Sequence, residues 1–373
     1  IYGYVENPGW MITDFYNWKL RGEKRLKRTG VVSFDAKEQQ FIILDQDSIF
    51  IFELEKNNLK TKISTNNLPM EIRLGNSFID EKQQKLYVYE VNNLPTGSVS
   101  ICALDLSNFK WEKVSTLQLP QQHHHHSAVY NVGEGTYTIF GGFGNQHYFN
   151  DFNSYHMDSD IWTKEIFSGD HIFPRFYSGQ ARIDEYHTIL FGGIGNSSGD
   201  QTLGRHYYYD CYSIDYSNKK IKKLWEIPLS NTGLVSVRDM VLADSGKTFY
   251  TLCYPEYISN TVLKLYKFSI SDGSYRILGD SIPFVSERIE SNANLYYNAP
   301  SSELYCTTQI VASDGSSVIQ IYSLDSPPVA WSDIASTKSK NFWTCVIYFS
   351  ALILIIVLSF ILFLSLRRQK MMI

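Results

Sequence analysis

The five cysteines of this 373-residue chain follow no spacing. There is no C-x-x-C pair and no Cys/His arrangement suited to zinc, so a dense disulfide framework is excluded and at most an isolated bridge is left. Neither charge is in large excess: the formal net charge is −4 and the pI about 6.2, which gives no general reason to expect nucleic acid as a partner. One local exception is "KLRGEKRLKR", where Lys19, Arg21, Lys24, Arg25, Lys27 and Arg28 crowd together. It reads as a solvated linker, with a polyanion patch as the alternative. Long helical patterns are missing until the C-terminus, and no HExxH, HxxEH or other catalytic signature occurs. The chain opens at Ile1 without a methionine or a secretory leader, although an exported domain needs one. It is therefore expected to be the central piece of a longer protein.

What is abundant is aromatic: 26 Tyr, 22 Phe and 7 Trp, residue types that fit a pleated, half-buried surface and favour strands. The C-terminus supplies the other strong signal. From Phe342 to Leu366 no residue is charged, a length that crosses a hydrocarbon core of about 30 Å as one helix. Arg367, Arg368 and Lys370 follow at once, while Trp343 and Tyr348 stand near the other end. That order predicts a cytoplasmic tail and a large domain outside, although Lys338 and Lys340 on the far flank reduce the asymmetry. The expected organisation is a linker or the end of a preceding domain over 1–29, a repeat domain over 30–334, a juxtamembrane linker over 335–341, a transmembrane helix over 342–366 and the start of a tail over 367–373.

Between these ends the sequence repeats. Glu53, Asp105, Asp158, Asp215, Ser269 and Asp325 each close a strand-like run before a turn, at intervals of 52 to 57 residues. A second register marks the first hairpin of each unit: Asp35, Asp80, Asn131, Asp184, Asp244 and Asn298. Asp and Asn suit such turns because their side chains bond nearby backbone and tolerate left-handed conformations. Each is followed by an apolar strand such as "QFIIL", "KLYVYEV" or "TILFGG". Four antiparallel strands in a unit of this length make a propeller blade, so the fold class is all-β: six blades, then one transmembrane helix.

Two units carry more detail. They are "TYTIFGGFGNQHYFNDFNSYHMDSDIW" and "PRFYSGQARIDEYHTILFGG…YYYDCYSID", with Gly141-Gly142 and Gly192-Gly193, an Asn-Asp or Tyr-Asp pair before the third strand, and Tyr155 and Tyr212 downstream. Trp111, Trp162 and Trp331 take a late aromatic position. These units resemble kelch repeats, and the resemblance implies a galactose-oxidase-like β-propeller over residues 30 to 334. The other four units lack the double glycine and rest on period alone. Kelch propellers of bacterial single-pass membrane regulators often follow a laminin-G-like sandwich, and "YGYVENPGWMITDFYNW" is similar to the exit from one; an ordered linker is the alternative.

Candidate site residues come from three places. His123 to His126 form a run; in a strand they alternate between two faces, so at most two share a face, and no metal is expected. Arg73, His124, Arg175, Arg238 and Arg288 fall on inner strands or their approaches, one per blade in five blades, with Glu71, Asp239 and Glu290 beside three of them. They are read either as an axial ring for a carboxylate or sulfate or as pairs within the channel. The long loop "GGIGNSSGDQTLGRHYYYD" offers Arg205 and His206, with Tyr207 and Tyr208, for a sugar. Asn196 opens a formal glycosylation sequon. Resemblance to galactose oxidase is confined to fold, since its copper ligands have no counterpart here. No catalytic residue and no cofactor is assigned.

The expected function is an extracytoplasmic (periplasmic) ligand- or partner-binding propeller of a membrane-anchored sensor, carbohydrate-related, that signals through one helix to a cytoplasmic domain. In the regulators it resembles, that domain is often DNA-binding; this part binds no nucleic acid. The alternatives are a membrane-tethered sugar-processing enzyme such as a mutarotase, with Glu71, Glu290 or the histidines as acid and base, and a protein-interaction or adhesion ectodomain.

Overall fold

The computed structural model describes residues 13–64, 66–91, 94–228 and 233–370. In the last helix, side chains are described for 331–334, 343–344, 346–359 and 361. The readings attached to residues 1–12, to the side chains of Lys338, Lys340 and Cys345, and to those of Arg367, Arg368 and Lys370 lie outside the described residues.

Six sheets, each built on four antiparallel strands, follow one another as blades of a propeller, one of them extended by the short strands Ser168–Gly169 and Arg175–Phe176. Blade one runs through Val31–Asp35, Gln40–Leu44, Ile49–Glu53 and Asn58–Lys62, and blade two through Asn76–Asp80, Lys85–Tyr89, Ile101–Asp105 and Lys110–Ser115. Blade three is built from Ser127–Asn131, Thr136–Phe140, Phe152–His156 and Ile161–Glu165, and blade four from Gly179–Arg182, His187–Gly195, His206–Asp215 and Lys220–Glu226. In blade five the inner strand is split into Leu234–Ser236 and Val241–Ala243, followed by Thr248–Pro255, Thr261–Ser269 and Tyr275–Phe284. Both turn registers read from the sequence fall at hairpins, except at Asp325, where the chain leaves its sheet. Asp80 accepts from the peptide N–H of Lys82 at 2.9 Å, and Asp215 from that of Asn218 at 3.0 Å, so these side chains close the turns they were assigned to.

Blade six departs from expectation. Its first three strands are Asn292–Asn298, Glu303–Val311 and Ser317–Asp325, but the fourth is Lys19–Leu26 from the other end of the chain. The repeat domain thus begins at Lys19, inside the span read as a linker. Trp331, given a late aromatic position in the last unit, instead starts the C-terminal helix. The basic run is charged because it is an outermost strand: Arg21 bonds Glu303 and Ser323, each at 3.2 Å, and Lys24 lies 3.9 Å from the centre of the Phe50 ring.

One apolar cluster fills each of the six wedges between blades. Ile42, Ile51, Leu86 and Trp111 join blades one and two; Tyr87, Ala103, Ile139 and Tyr155 join two and three. Phe140, Leu190 and Ile214 join three and four, and Phe191, Trp225, Phe249 and Phe268 four and five. Leu252, Leu265, Leu295 and Leu304 join five and six. The last wedge, between six and one, holds Leu26, Phe41, Phe52, Tyr305 and Ile321. Each fully buried Leu, Ile or Phe contributes about 1.5–3 kcal/mol, so the wedges carry most of the favourable energy and the ring needs all six. Cys102, Cys211, Cys253 and Cys306 are buried in these clusters as free thiols, whose pKa values burial raises. An isolated bridge among these four is not formed.

Strands alternate in direction, which gives the ring two unlike faces. The turns between first and second strands, and between third and fourth, lie on what we term the lower face. The connections from second to third strand, and from one blade to the next, lie on the upper face. The double glycines sit where the upper face is crowded. Gly142 has φ +95°, and a Cβ there would stand 2.9 Å from the His123 carbonyl carbon. Gly193 has φ +109°, with Ser178 Oγ at 2.5 Å from such a Cβ. No other residue type fits both the dihedral and the space.

Asp325 ends a third strand, so the chain leaves blade six from the lower face. The helix Trp331–Lys370 follows directly and begins eleven residues before the uncharged run, taking in the span read as a juxtamembrane linker. Its start is docked: Ala330 and Ile334 are buried, Arg276 of blade five makes a bidentate pair with Asp333 at 2.9 and 2.8 Å, and Tyr16 packs on Trp331 with ring centres 5.6 Å apart. Blade five also holds the approach to the closing strand, because the Trp18 N–H donates to Asp280 at 2.8 Å. Among the described residues no helix is long and apolar enough to cross a membrane.

Candidate functional site

The histidine run does not form a strand. Only His124 makes an isolated bridge, to Phe143, and His125 has φ +52°, so strand alternation does not apply and each ring goes its own way. His123 Nδ1 bonds the Gly141 carbonyl at 2.8 Å, and His126 bonds Tyr89 Oη at 2.7 Å through Nε2 and the His123 carbonyl at 2.7 Å through Nδ1. His125 stacks on Tyr177, centres 4.2 Å apart, and its Nε2 meets Tyr177 Oη at 3.2 Å. Burial, helped by the Arg238 charge, pushes the His125 pKa down to about 3, and burial keeps His126 neutral as well. His124 packs against Phe143 with its Nδ1 buried and unpartnered. Among the described residues no group of three or more His, Cys, Asp or Glu is placed to hold a metal.

Nor do the five basic positions form a ring. Arg175 is wholly buried and spent within blade four: Nη1 donates to Asp210 Oδ1 at 2.6 Å, Nη2 to Oδ2 at 3.1 Å, and Nε to the Phe173 carbonyl at 2.9 Å. The guanidinium also lies 3.8 Å from the centre of the Tyr208 ring. It is a structural residue and not a ligand-binding one. Asp210 is the Asp of the Tyr-Asp pair seen in the sequence, and its acceptor role explains why an acid stands there. Arg73 lies half-exposed beside Glu71 at 3.7 Å, and Arg288 beside Glu290 at 4.0 Å.

Arg238 alone reaches the axis. Its Nε donates to the His126 carbonyl at 3.1 Å and its Nη2 to Asn76 Oδ1 at 2.9 Å, so it bridges blades five, three and two. Above it lies a cavity of about 50 Å³ bounded by His125, His126, Tyr177, Glu290 and Asn76, room for a water or two. Asn76 Nδ2 faces no partner.

A wider groove opens beside this cavity on the upper face, about 550 Å³ between Phe143, Tyr148, Phe176, Arg205 and Tyr257. Arg205 donates to Glu256 Oε1 at 2.9 Å, and Tyr207 Oη donates to the same oxygen at 2.7 Å. Glu256 Oε2 is buried and unpartnered, and burial raises the carboxyl's pKa. Tyr257 lies close enough to Tyr177 to affect its hydroxyl, and Tyr177 in turn meets His125, so groove and axial cavity adjoin through these side chains. His206 stands apart from it, edge-on to Tyr208 with centres 4.7 Å apart. Sequence reasoning found Arg205 but missed Glu256, Tyr257 and Tyr177. The signal for the first two was the Pro-Glu-Tyr turn after the second strand of blade five, the counterpart of the Arg205 loop.

Directly below Arg238, Asp239 is held in the channel, where burial pushes its pKa up to about 6 against an ordinary value of 3.8. A raised carboxyl pKa means that ionisation costs more in the folded state than in the unfolded one. Asp239→Asn is therefore expected to melt higher than the native chain at pH 7.5. The difference shrinks as pH falls through 6 and is gone below about 4. Parallel thermal melts across that range measure it.

A sequence model of the KLHDC2/KLHL20/DRC7 Kelch-repeats domain matches residues 32–245, more than half of the chain. No curated protein matches it.

Proposed function

Since the chain belongs to this kelch-repeat family, whose propeller points to a protein-interaction domain, we propose that it is a partner-binding propeller tethered to a membrane by its C-terminal helix. The observation that carries the tether is the helix surface. Leu352, Ile353, Leu354, Ile355, Ile356, Val357 and Leu358 are all exposed, and seven consecutive positions cover the full circumference. A helix apolar all round needs a buried or lipid setting, and the uncharged run Phe342–Leu366 is long enough to span. The basic residues after it support a reading with the tail in the cytoplasm and the propeller outside.

The partner-binding half rests on the groove. Exposed Arg and Tyr beside buried aromatic rings are the residue types that dominate interface energetics. The groove lies on the upper face and the helix leaves from the lower one, so the partner docks on the side away from the membrane. Because Asp333, Ala330 and Ile334 fasten the helix to blades five and six, a load on the propeller is passed to the helix without a slack linker. This is the physical basis of a sensing role.

The full chain is expected to remain in the membrane pellet after alkaline carbonate extraction. Leu354→Arg with Ile355→Arg moves it to the supernatant, because each charge at mid-bilayer costs about 2.5–3.5 kcal/mol. A photo-crosslinker replacing Tyr257 then gives protein adducts that Glu256→Gln reduces. Extraction of the native chain by carbonate refutes the tether. Equal adducts from a crosslinker at Tyr297 refute the groove.

A further inference from the structure

The opposite end of the axial channel is a second, larger cavity that the partner-binding face does not use. It opens on the lower face, has a volume of about 390 Å³ and draws on all six blades. Its wall is divided. Phe34 and Tyr296, from blades one and six, lie with ring centres 5.7 Å apart. Phe78 and Tyr130, from blades two and three, are near-parallel, and Phe78 is backed by Tyr137 at 3.9 Å. Together they make an aromatic arc over four adjacent blades. Blades four and five close the circle with Gln180, Arg182 and Asp239.

The polar arc contains two side chains without protein partners. Asp239 and Arg182 take part in no side-chain hydrogen bond or ion pair with any described residue, although both line the mouth. The other polar groups are committed. Gln180 bonds Thr188 at 3.1 Å and Ser127 at 3.3 Å, Ser33 and Ser77 bond each other at 2.6 Å, and Arg238 is held by His126 and Asn76. A half-buried carboxylate without a hydrogen bond is costly, which is the cost that binding sites carry when a ligand supplies the missing donors.

We propose that this lower mouth binds a small neutral polyhydroxylated molecule, of mono- or disaccharide size, with a ring face on the aromatic arc and hydroxyls on Asp239 and Arg182. The charges argue against an ionic ligand. The free carboxylate and the free guanidinium balance, and the nearby Arg238 would repel a cation while its Nε and Nη2 are held by His126 and Asn76. The volume falls in the range of about 300–1,000 Å³ usual for small-molecule sites. Aromatic rings opposite a few convergent polar groups suit a molecule that is apolar on its faces and polar at its edges. The site is independent of the protein-binding groove, from which Arg238 and the cavity above it separate it.

The test uses the full chain in lipid nanodiscs, with methyl glucoside and maltose as neutral probes and choline and acetate as charged ones, followed by saturation-transfer NMR. Saturable transfer to a sugar is expected, with none to choline or acetate. Asp239→Asn and Tyr296→Ala each weaken it about tenfold or more, while Ile166→Ala, on an exposed site far from the axis, leaves it unchanged. Melting curves establish that each variant is folded. Binding of choline or acetate in preference to both sugars overturns the proposal. So does the absence of saturable transfer from either sugar, or sugar binding that survives both substitutions in folded protein.

Discussion

Arg175→Met is expected to destabilise the propeller by about 3–5 kcal/mol. Nothing comparable is expected from Arg73→Met or Arg288→Met, whose half-exposed side chains make only long ion pairs, at 3.7 and 4.0 Å. The asymmetry follows from what the change leaves behind. Asp210 is 2 % exposed at its side chain, and without the guanidinium its charge is buried with only Tyr212 Oη, at 3.0 Å, as a donor. The carbonyls of Phe173 and Gly192 lose donors too, and Tyr208 loses the cation against its ring. At about 2–4 °C per kcal/mol for a domain of this size, the melting temperature falls by roughly 10 °C. Adding Asp210→Asn removes the stranded charge while keeping an acceptor for Tyr212, so the double variant recovers part of the loss. A double variant no better than the single one would mean that the loss comes from the stranded carbonyls and the Tyr208 contact and not from the Asp210 charge.

Deleting Lys19–Leu26 is expected to have a larger effect still. That strand pairs with Ser317–Asp325 from Lys19 opposite Ser323 to Leu26 opposite Ser317. Leu26 is buried in the wedge between blades six and one, and the Gly22 backbone packs directly on Phe52. Without it the last blade has three strands, an unpaired apolar edge and an incomplete wedge, which is a template for aggregation. The expected result is loss of monodisperse protein on size exclusion and rapid proteolysis between blades. Removal of residues 1–12, which precede the strand, serves as the comparison. A truncated chain that stays monomeric and melts within a few degrees of the parent would show that blade six closes without this strand.

The period was legible because each blade keeps a polar residue, mostly Asp or Asn, at the same two places, and a turn that needs Asp or Asn keeps its chemistry even where strand sequences drift. The closing strand was not. An outermost strand faces solvent, so "KLRGEKRL" carries charge at alternate and adjacent positions alike, and its apolar signal reduces to Gly22 and Leu26. Its pairing partner stands at the other end of the sequence, beyond the reach of any local pattern. The candidate site was half legible for a related reason. Arg175 and Arg238 occupy similar places in their blades, and only the third dimension separates them. One meets an acid from its own blade's third strand; the other projects across the axis to blades two and three. Glu256 and Tyr257 escaped notice because blade five lacks the double glycine that aligned the loops of blades three and four.

The pairing that closes the ring also sets an order of events during synthesis. Arg21 bonds Ser323, 302 residues further along the chain, so the first strand made must wait for almost the last before it finds a partner. Until Asp325 is complete, blade one lacks its neighbour and the wedge around Phe41 and Phe52 stands open. Contacts of such separation form slowly, and the waiting intermediate exposes apolar edges. The next segment to follow is the apolar helix from Trp331. Ring closure and delivery of the helix are therefore nearly simultaneous, and the propeller becomes a finished body only as its C-terminal helix is being made.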